Sequence, residues 1–219
     1  MKRIIIVLTA LCLLISIEAL AQKKASKTKT AATPAAAAKK TYETKSGKAV
    51  YDVDLIGKQT QTLYWDDYGA KEARVTLVEM EVLGQKSRSE SVEINADGYI
   101  IKYDIEKKTG TKTKSYSPLG AAKGFPSDVS KMAQKDIEKM NIVDLGTKEI
   151  LGKKCKGIQM EPMKMKMEAW VWGSLLMESK TWLSKDGAPM TINVSSLELD
   201  VPIPPETFKV PDGIQIEEY

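Results

Sequence analysis

The sequence predicts a mainly β protein with one or two helices, built as a strongly curved antiparallel sheet (a half-open barrel) wrapped around a helix. Three observations carry this expectation. Apolar residues recur with period two over most of the chain, as in half-buried strands. Turn-forming clusters punctuate those runs at short intervals. One segment alone, Asp128–Met140, changes to a helical period.

The strands follow in order. Tyr51, Val53 and Leu55 share one face of the first run, with Asp52 and Asp54 on the other. Thr76, Val78, Met80 and Val82 line a longer strand, and Glu79 and Glu81 point away. Tyr99, Ile101, Tyr103 and Ile105 alternate with Lys102, Asp104 and Glu106. Met163, Met165, Met167, Ala169 and Val171 alternate with Lys164, Lys166 and Glu168. Each reads as an antiparallel strand with one apolar and one wetter face. Turns are expected at Asp66-Asp67-Tyr68-Gly69, Asn95-Ala96-Asp97-Gly98, Lys108-Thr109-Gly110 and Lys185-Asp186-Gly187. Their spacing suggests a meander of ten or so strands. In the helical segment Val129, Met132, Ala133, Ile137 and Met140 fall on one face, with Ser127 as N-cap and Asn141 as stop. That stripe and the apolar face of the sheet need each other.

The N-terminus reads as an export signal. Lys2 and Arg3 precede an apolar run from Ile4 to Ile17, and Ala19-Leu20-Ala21 supplies the small residues of a cleavage site. The run is shorter than the roughly 20 residues of a membrane span. Leu11 before Cys12 does not fit a lipoprotein signal. The expected location is periplasmic or secreted, after cleavage near Ala21. Residues 22–41 read as a Lys/Ala-rich disordered tether, because nothing larger than Ala is there to bury. The tether is either a spacer or a weak contact to anionic surfaces. Residues 42–219 form one domain.

Charge divides by segment. The chain is +4, the signal +1 and residues 22–40 +6, so residues 41–219 carry 4 − 1 − 6 = −3. A folded part of that sign does not fit nucleic-acid binding. Beyond the signal only Cys155 remains, so no intramolecular disulfide can form.

The second half carries recognisable phrases: Glu149-Ile150-Leu151-Gly152-Lys153-Lys154-Cys155-Lys156, then Ala169-Trp170-Val171-Trp172-Gly173, then Ile203-Pro204-Pro205-Glu206-Thr207-Phe208-Lys209-Val210-Pro211-Asp212-Gly213. With Leu63-Tyr64-Trp65-Asp66-Asp67-Tyr68-Gly69, these resemble an exported bacterial family similar to the LolA-type lipoprotein-carrier fold. The opening phrase is also similar to the GLPGLI family of exported proteins. The resemblance implies a half-open barrel with a helix across its mouth and an apolar interior that takes acyl chains. Arg74 and Arg88, the only arginines beyond the signal, match no arginine motif of those carriers. The resemblance therefore points to apolar-ligand binding, not to lipoprotein transfer.

Candidate chemistry is sparse. With no histidine, Ser-His-Asp triads, His-based zinc sites and His phosphotransfer are excluded. Asp66-Asp67 reads as a turn and not a carboxylate pair, and Cys155 as a buried small hydrophobe. Met160, Met163, Met165 and Met167 line a cavity or, alternatively, bind Cu(I) through thioethers. Trp170 and Trp172 either pack against the terminal segment Val201–Phe208 or form an exposed strip for a protein or glycan. The expected function is non-enzymatic binding of a lipid or other apolar ligand, without cofactor or metal. The expected lining is Val53, Leu55, Val78, Met80, Ile101, Tyr103, Met132, Ile137, Met165 and Met167. An envelope protein-interaction domain with a filled core is the alternative.

Overall fold

The computed structural model describes residues 40–54, 58–82, 84–115, 141–161, 165–184 and 187–219. The expected signal, the expected tether up to residue 39, Leu55, the expected helix with Met132 and Ile137, Met163, and Lys185 and Asp186 of an expected turn lie outside them.

Twelve strands follow in chain order: β1 (Gly47–Asp54), β2 (Lys58–Asp66), β3 (Lys71–Val82), β4 (Gln85–Ala96), β5 (Tyr99–Asp104), β6 (Thr109–Lys114), β7 (Val143–Ile150), β8 (Lys153–Met160), β9 (Lys166–Trp172), β10 (Leu175–Trp182), β11 (Met190–Leu199) and β12 (Gln215–Glu218). They make one open, curled sheet in the order β12-β6-β5-β4-β3-β2-β1-β11-β10-β9-β8-β7. The expected single meander is corrected. Two meanders, β1–β6 and β7–β11, join where β11 pairs with β1, and β12 pairs parallel to β6. The described helical turns are two short 3₁₀ segments, Asp67–Gly69 and Pro205–Phe208.

Local chemistry sets the hairpins. Asp97 (φ 53°) and Gly98 (φ 78°) both adopt left-handed backbone between β4 and β5, the two-residue turn whose twist matches the strands. At the end of β5 the expected boundaries shift. The strand stops at Asp104, whose carboxylate accepts the Lys107 amide at 2.8 Å and its ammonium at 2.7 Å. That capped turn leaves Ile105 exposed, and it places Thr109 and Gly110 in β6 instead of in the turn. The Met-rich strand likewise starts at Lys166, so Met165 precedes it. Register shifts between Val50 and Tyr51, Leu176 and Glu178, and Asp144 and Gly146 add local bend and twist.

Apolar side chains collect on both faces. A first cluster holds Trp65, Leu63, Ala49, Tyr51, Met177 and Tyr42, all at most 5% exposed. A second, on the opposite face of β3–β5, holds Ala73, Val92, Ile94 and Tyr103. Phe208, Val210, Ile214 and Ile216 from the C-terminal segment pack against it. A third, smaller cluster gathers Ile158, Met160 and Ala169. The start of β3 is therefore buried on both sides, at Glu72 and at Ala73.

Candidate functional site

Strand register places an uncharged floor on one face of β1–β4. Val53 lies opposite Gln59, which lies opposite Val78, which lies opposite Ser89. The next row is Tyr51, Gln61, Thr76 and Ser91, and Met80 lies opposite Ser87. No residue in these rows is ionisable near neutral pH. The other face of the same stretch is a ladder of alternating sign, Asp54, Lys58, Glu79 and Arg88, directly opposite one another and exposed. Val78 and Met80 on the neutral floor are half-buried, and Val53 is 6% exposed.

A buried polar group closes one end of this floor. Trp65 lies opposite Glu72, and Leu63 opposite Arg74, whose guanidinium donates to Gln61 Oε1 at 3.1 Å. Tyr42 arrives from the N-terminal segment, its ring 5.0 Å from that of Trp65 and its hydroxyl hydrogen-bonded to Glu72. The Thr41 and Tyr42 amides donate to the Tyr68 carbonyl, and Lys40 sits 3.8 Å over the Tyr68 ring. Burial, then the Glu72 charge, pushes the Tyr42 hydroxyl well above the usual tyrosine range. Burial pushes Tyr51 up to about 12, with Arg74 opposing. Both tyrosines are thus held neutral, and Tyr42 donates to Glu72. Thr44 Oγ1 and Trp65 Nε1 are buried without a hydrogen-bond partner among the described residues.

The expected lining residues divide. Val53, Val78 and Met80 share the neutral floor. Ile101 and Tyr103 lie on the opposite face, beneath the C-terminal segment, and so cannot line it. Met167 lies opposite Met160 and Thr181 in the third cluster, and Met165 is half-buried beside it in sequence. Tyr42, Glu72 and Arg74 escape the sequence reading. The available signal is an alternation in β3 that places Glu72 and Arg74 in register with Thr76 and Val78.

Other candidates resolve individually. Cys155 is fully buried, its thiol 3.3 Å from the Lys153 carbonyl, and burial pushes it up, away from the reactive thiolate. Asp66 and Asp67 form a turn in which the Asp66 side chain accepts the Asp67 amide. Phe208 of the expected partner segment Val201–Phe208 lies away from Trp170 and Trp172. They pack against the first cluster, whereas Phe208 packs against the second. Lys148 lies 4.4 Å over Trp170, Lys153 4.8 Å over Trp172, and Lys166 4.5 Å over Trp182. Such pairs contribute about 0.5–1 kcal/mol each at a surface. Among the described residues no three His, Cys, Asp or Glu side chains gather as a metal site.

Comparison with known proteins rests on shape. No protein-family model matches the sequence, and no curated protein matches it. The fold is similar to an uncharacterized conserved protein from Thermus thermophilus, at TM-score 0.53 and 7% identity, covering 81% of this chain and 92% of that one. A looser likeness, at TM-score 0.48 and 13% identity, is to the MucA/MucB complex structure of Pseudomonas aeruginosa, covering 78% of this chain and 58% of the matched one. LprF from Mycobacterium bovis follows at 0.37 and 13%, covering 74% and 89%. At these identities the likeness is one of fold.

Proposed function

We propose that this chain is an exported envelope protein, cleaved near Ala21, that holds an apolar ligand of the lipid or acyl-chain class without catalysing a reaction. The observation that carries the reading is the neutral floor. In a chain with 28% charged residues, Val53, Gln59, Val78 and Ser89 form an uncharged row backed by a row of four charges. Charge is kept off a surface when contact there excludes water. The apolar stripe read from the sequence of residues 128–140, Met132 and Ile137 included, is the candidate for the facing wall. The sequence resemblance to lipoprotein carriers points the same way.

Native mass spectrometry of protein purified without detergent tests this. A co-purifying lipid that is lost in Val78→Lys supports the reading. Protein free of ligand, with a dry interior, overturns it in favour of an envelope interaction domain with a filled core. That second reading is favoured by the three clusters, which already absorb Ile101, Tyr103 and Met160.

A further inference from the structure

Strands β7–β10 differ in charge from the rest of the domain. On the face that carries Trp170, strand register gathers Lys148, Lys153, Lys166 and Lys180 with Glu168 and Glu178, within a 41–219 stretch that is net negative. Three of the four tryptophans are here too, each half-buried and each with a lysine ammonium within 4.8 Å of its ring. Trp170 lies flat: a Cβ added at Gly157 would sit 2.5–2.7 Å from its ring carbons, so one ring side rests on the β8 backbone. Lys148, 4.4 Å from the Trp170 ring centre, also meets Glu178 at 2.6 Å, and Lys166 meets Glu168 at 2.8 Å. Trp182 lies opposite Lys166, and Lys180 opposite Glu168.

Each indole is thus presented with a cation, and two carboxylates stand between the rings. An anion drawn to an ammonium arrives beside an aromatic ring. A ligand that uses all three groups has an apolar ring face, carboxylates and hydroxyl donors. We propose that this surface binds an acidic polysaccharide of the uronic-acid type laid along β9. Its sugar faces rest on Trp172 and Trp182, its carboxylates meet Lys153, Lys166 and Lys180, and its hydroxyls donate to Glu168 and Glu178. A DNA strand offers stacking bases and phosphates but no hydroxyls for those acids, and its phosphates would face them directly. The site is on different strands from the neutral floor, so it stands or falls independently of the apolar-ligand reading.

The test is affinity electrophoresis of the full mature chain at about 0.15 M salt, where weak surface attraction is screened. The gels contain polygalacturonate, neutral dextran or oligothymidylate. The expected result is retardation by polygalacturonate well beyond that by dextran, weakened about fivefold or more by Trp182→Ala and by Lys153→Gln. Trp182 is outside the three clusters, so its loss should leave the melting temperature near wild type, and Trp182→Phe should restore part of the binding. Replacing the tether lysines with serine should change little. Absence of retardation by polygalacturonate overturns the proposal. So does retardation indifferent to the Trp182 and Lys153 variants, retardation lost with the tether lysines, or equal binding of oligothymidylate.

Discussion

The two faces of β1–β4 share one backbone and follow opposite rules. On one, Val53, Gln59, Val78 and Ser89 form a neutral row; on the other, Asp54, Lys58, Glu79 and Arg88 alternate in sign. Each face is also covered by a different end of the chain. Tyr42 seats beside Trp65 and Glu72 on the neutral side, and Phe208, Val210 and Ile216 cover the second cluster on the other. The N-terminal cover is a single buried aromatic tied to a buried carboxylate. The C-terminal cover is several half-buried apolar residues plus a strand. Charge placement, more than hydrophobicity, distinguishes the faces: both bury apolar side chains, but charges on the neutral side are confined to its Glu72 and Arg74 end, whereas the ladder carries them in every position.

The largest effect should come from exchanging the rules between neighbours. Val53→Asp puts a carboxylate into the first cluster and should cost about 4 kcal/mol or prevent folding. Asp54→Val, one residue away on the exposed ladder, should stay within about 0.5 kcal/mol. Urea unfolding of the pair measures both, and similar losses would erase the distinction between faces. Next in size are the two covers. Tyr42→Ala should cost about 3 kcal/mol, and Phe208→Ala, starting from a half-buried side chain, about 2 kcal/mol. The reverse order in the same melts would place the tighter cover at the C-terminus.

Alkali should act on the neutral face through its tyrosines. Tyr51 in the folded chain titrates near 12, and Tyr42 is also raised, chiefly by burial. Between the ordinary tyrosine value near 10 and the raised folded values, the unfolded chain loses these protons while the folded chain keeps them. Their stabilising effect is therefore complete below pH 10 and is lost as pH rises above it. The loss should be about 1.4 kcal/mol per tyrosine per pH unit. Unfolding of wild type and Tyr51→Phe at pH 9 and at pH 11 should show a shallower alkaline decline in the variant; parallel declines would refute the role of Tyr51. Smallest is Lys58→Gln on the ladder, expected at about 0.5 kcal/mol or less and reduced further by salt. A salt-independent loss would mean that Lys58 contributes through packing.

Much of this architecture is legible from alternation. Tyr51 and Val53 read correctly against Asp52 and Asp54, and Asp97-Gly98 announces its turn. Period two says which residues share a face, but not what covers the face. Alternation therefore groups Thr76, Val78 and Met80 correctly, yet it offers Ile101 and Tyr103 for the same lining although the register puts them on the other side. Nothing local to Ile101 reveals that Phe208, more than a hundred residues later, lies above it. The end of β5 is hidden because Asp104 continues the alternation while its side chain caps a turn. Tyr42 reads as the border of a polar tether, since its partners Trp65 and Glu72 are brought to it only by strand pairing.

The seam where β1 meets β11 has a consequence for how the molecule comes into being. Gly47 pairs with Leu199, and Asp54 with Thr191, so the earliest strand cannot complete its pairing until nearly the whole chain is available. Until then β1 is a bare edge, open to the wrong partner. Such distant pairing slows folding. A chain of this topology should therefore close its sheet late, with β11 docking on β1 as the step that seals the seam.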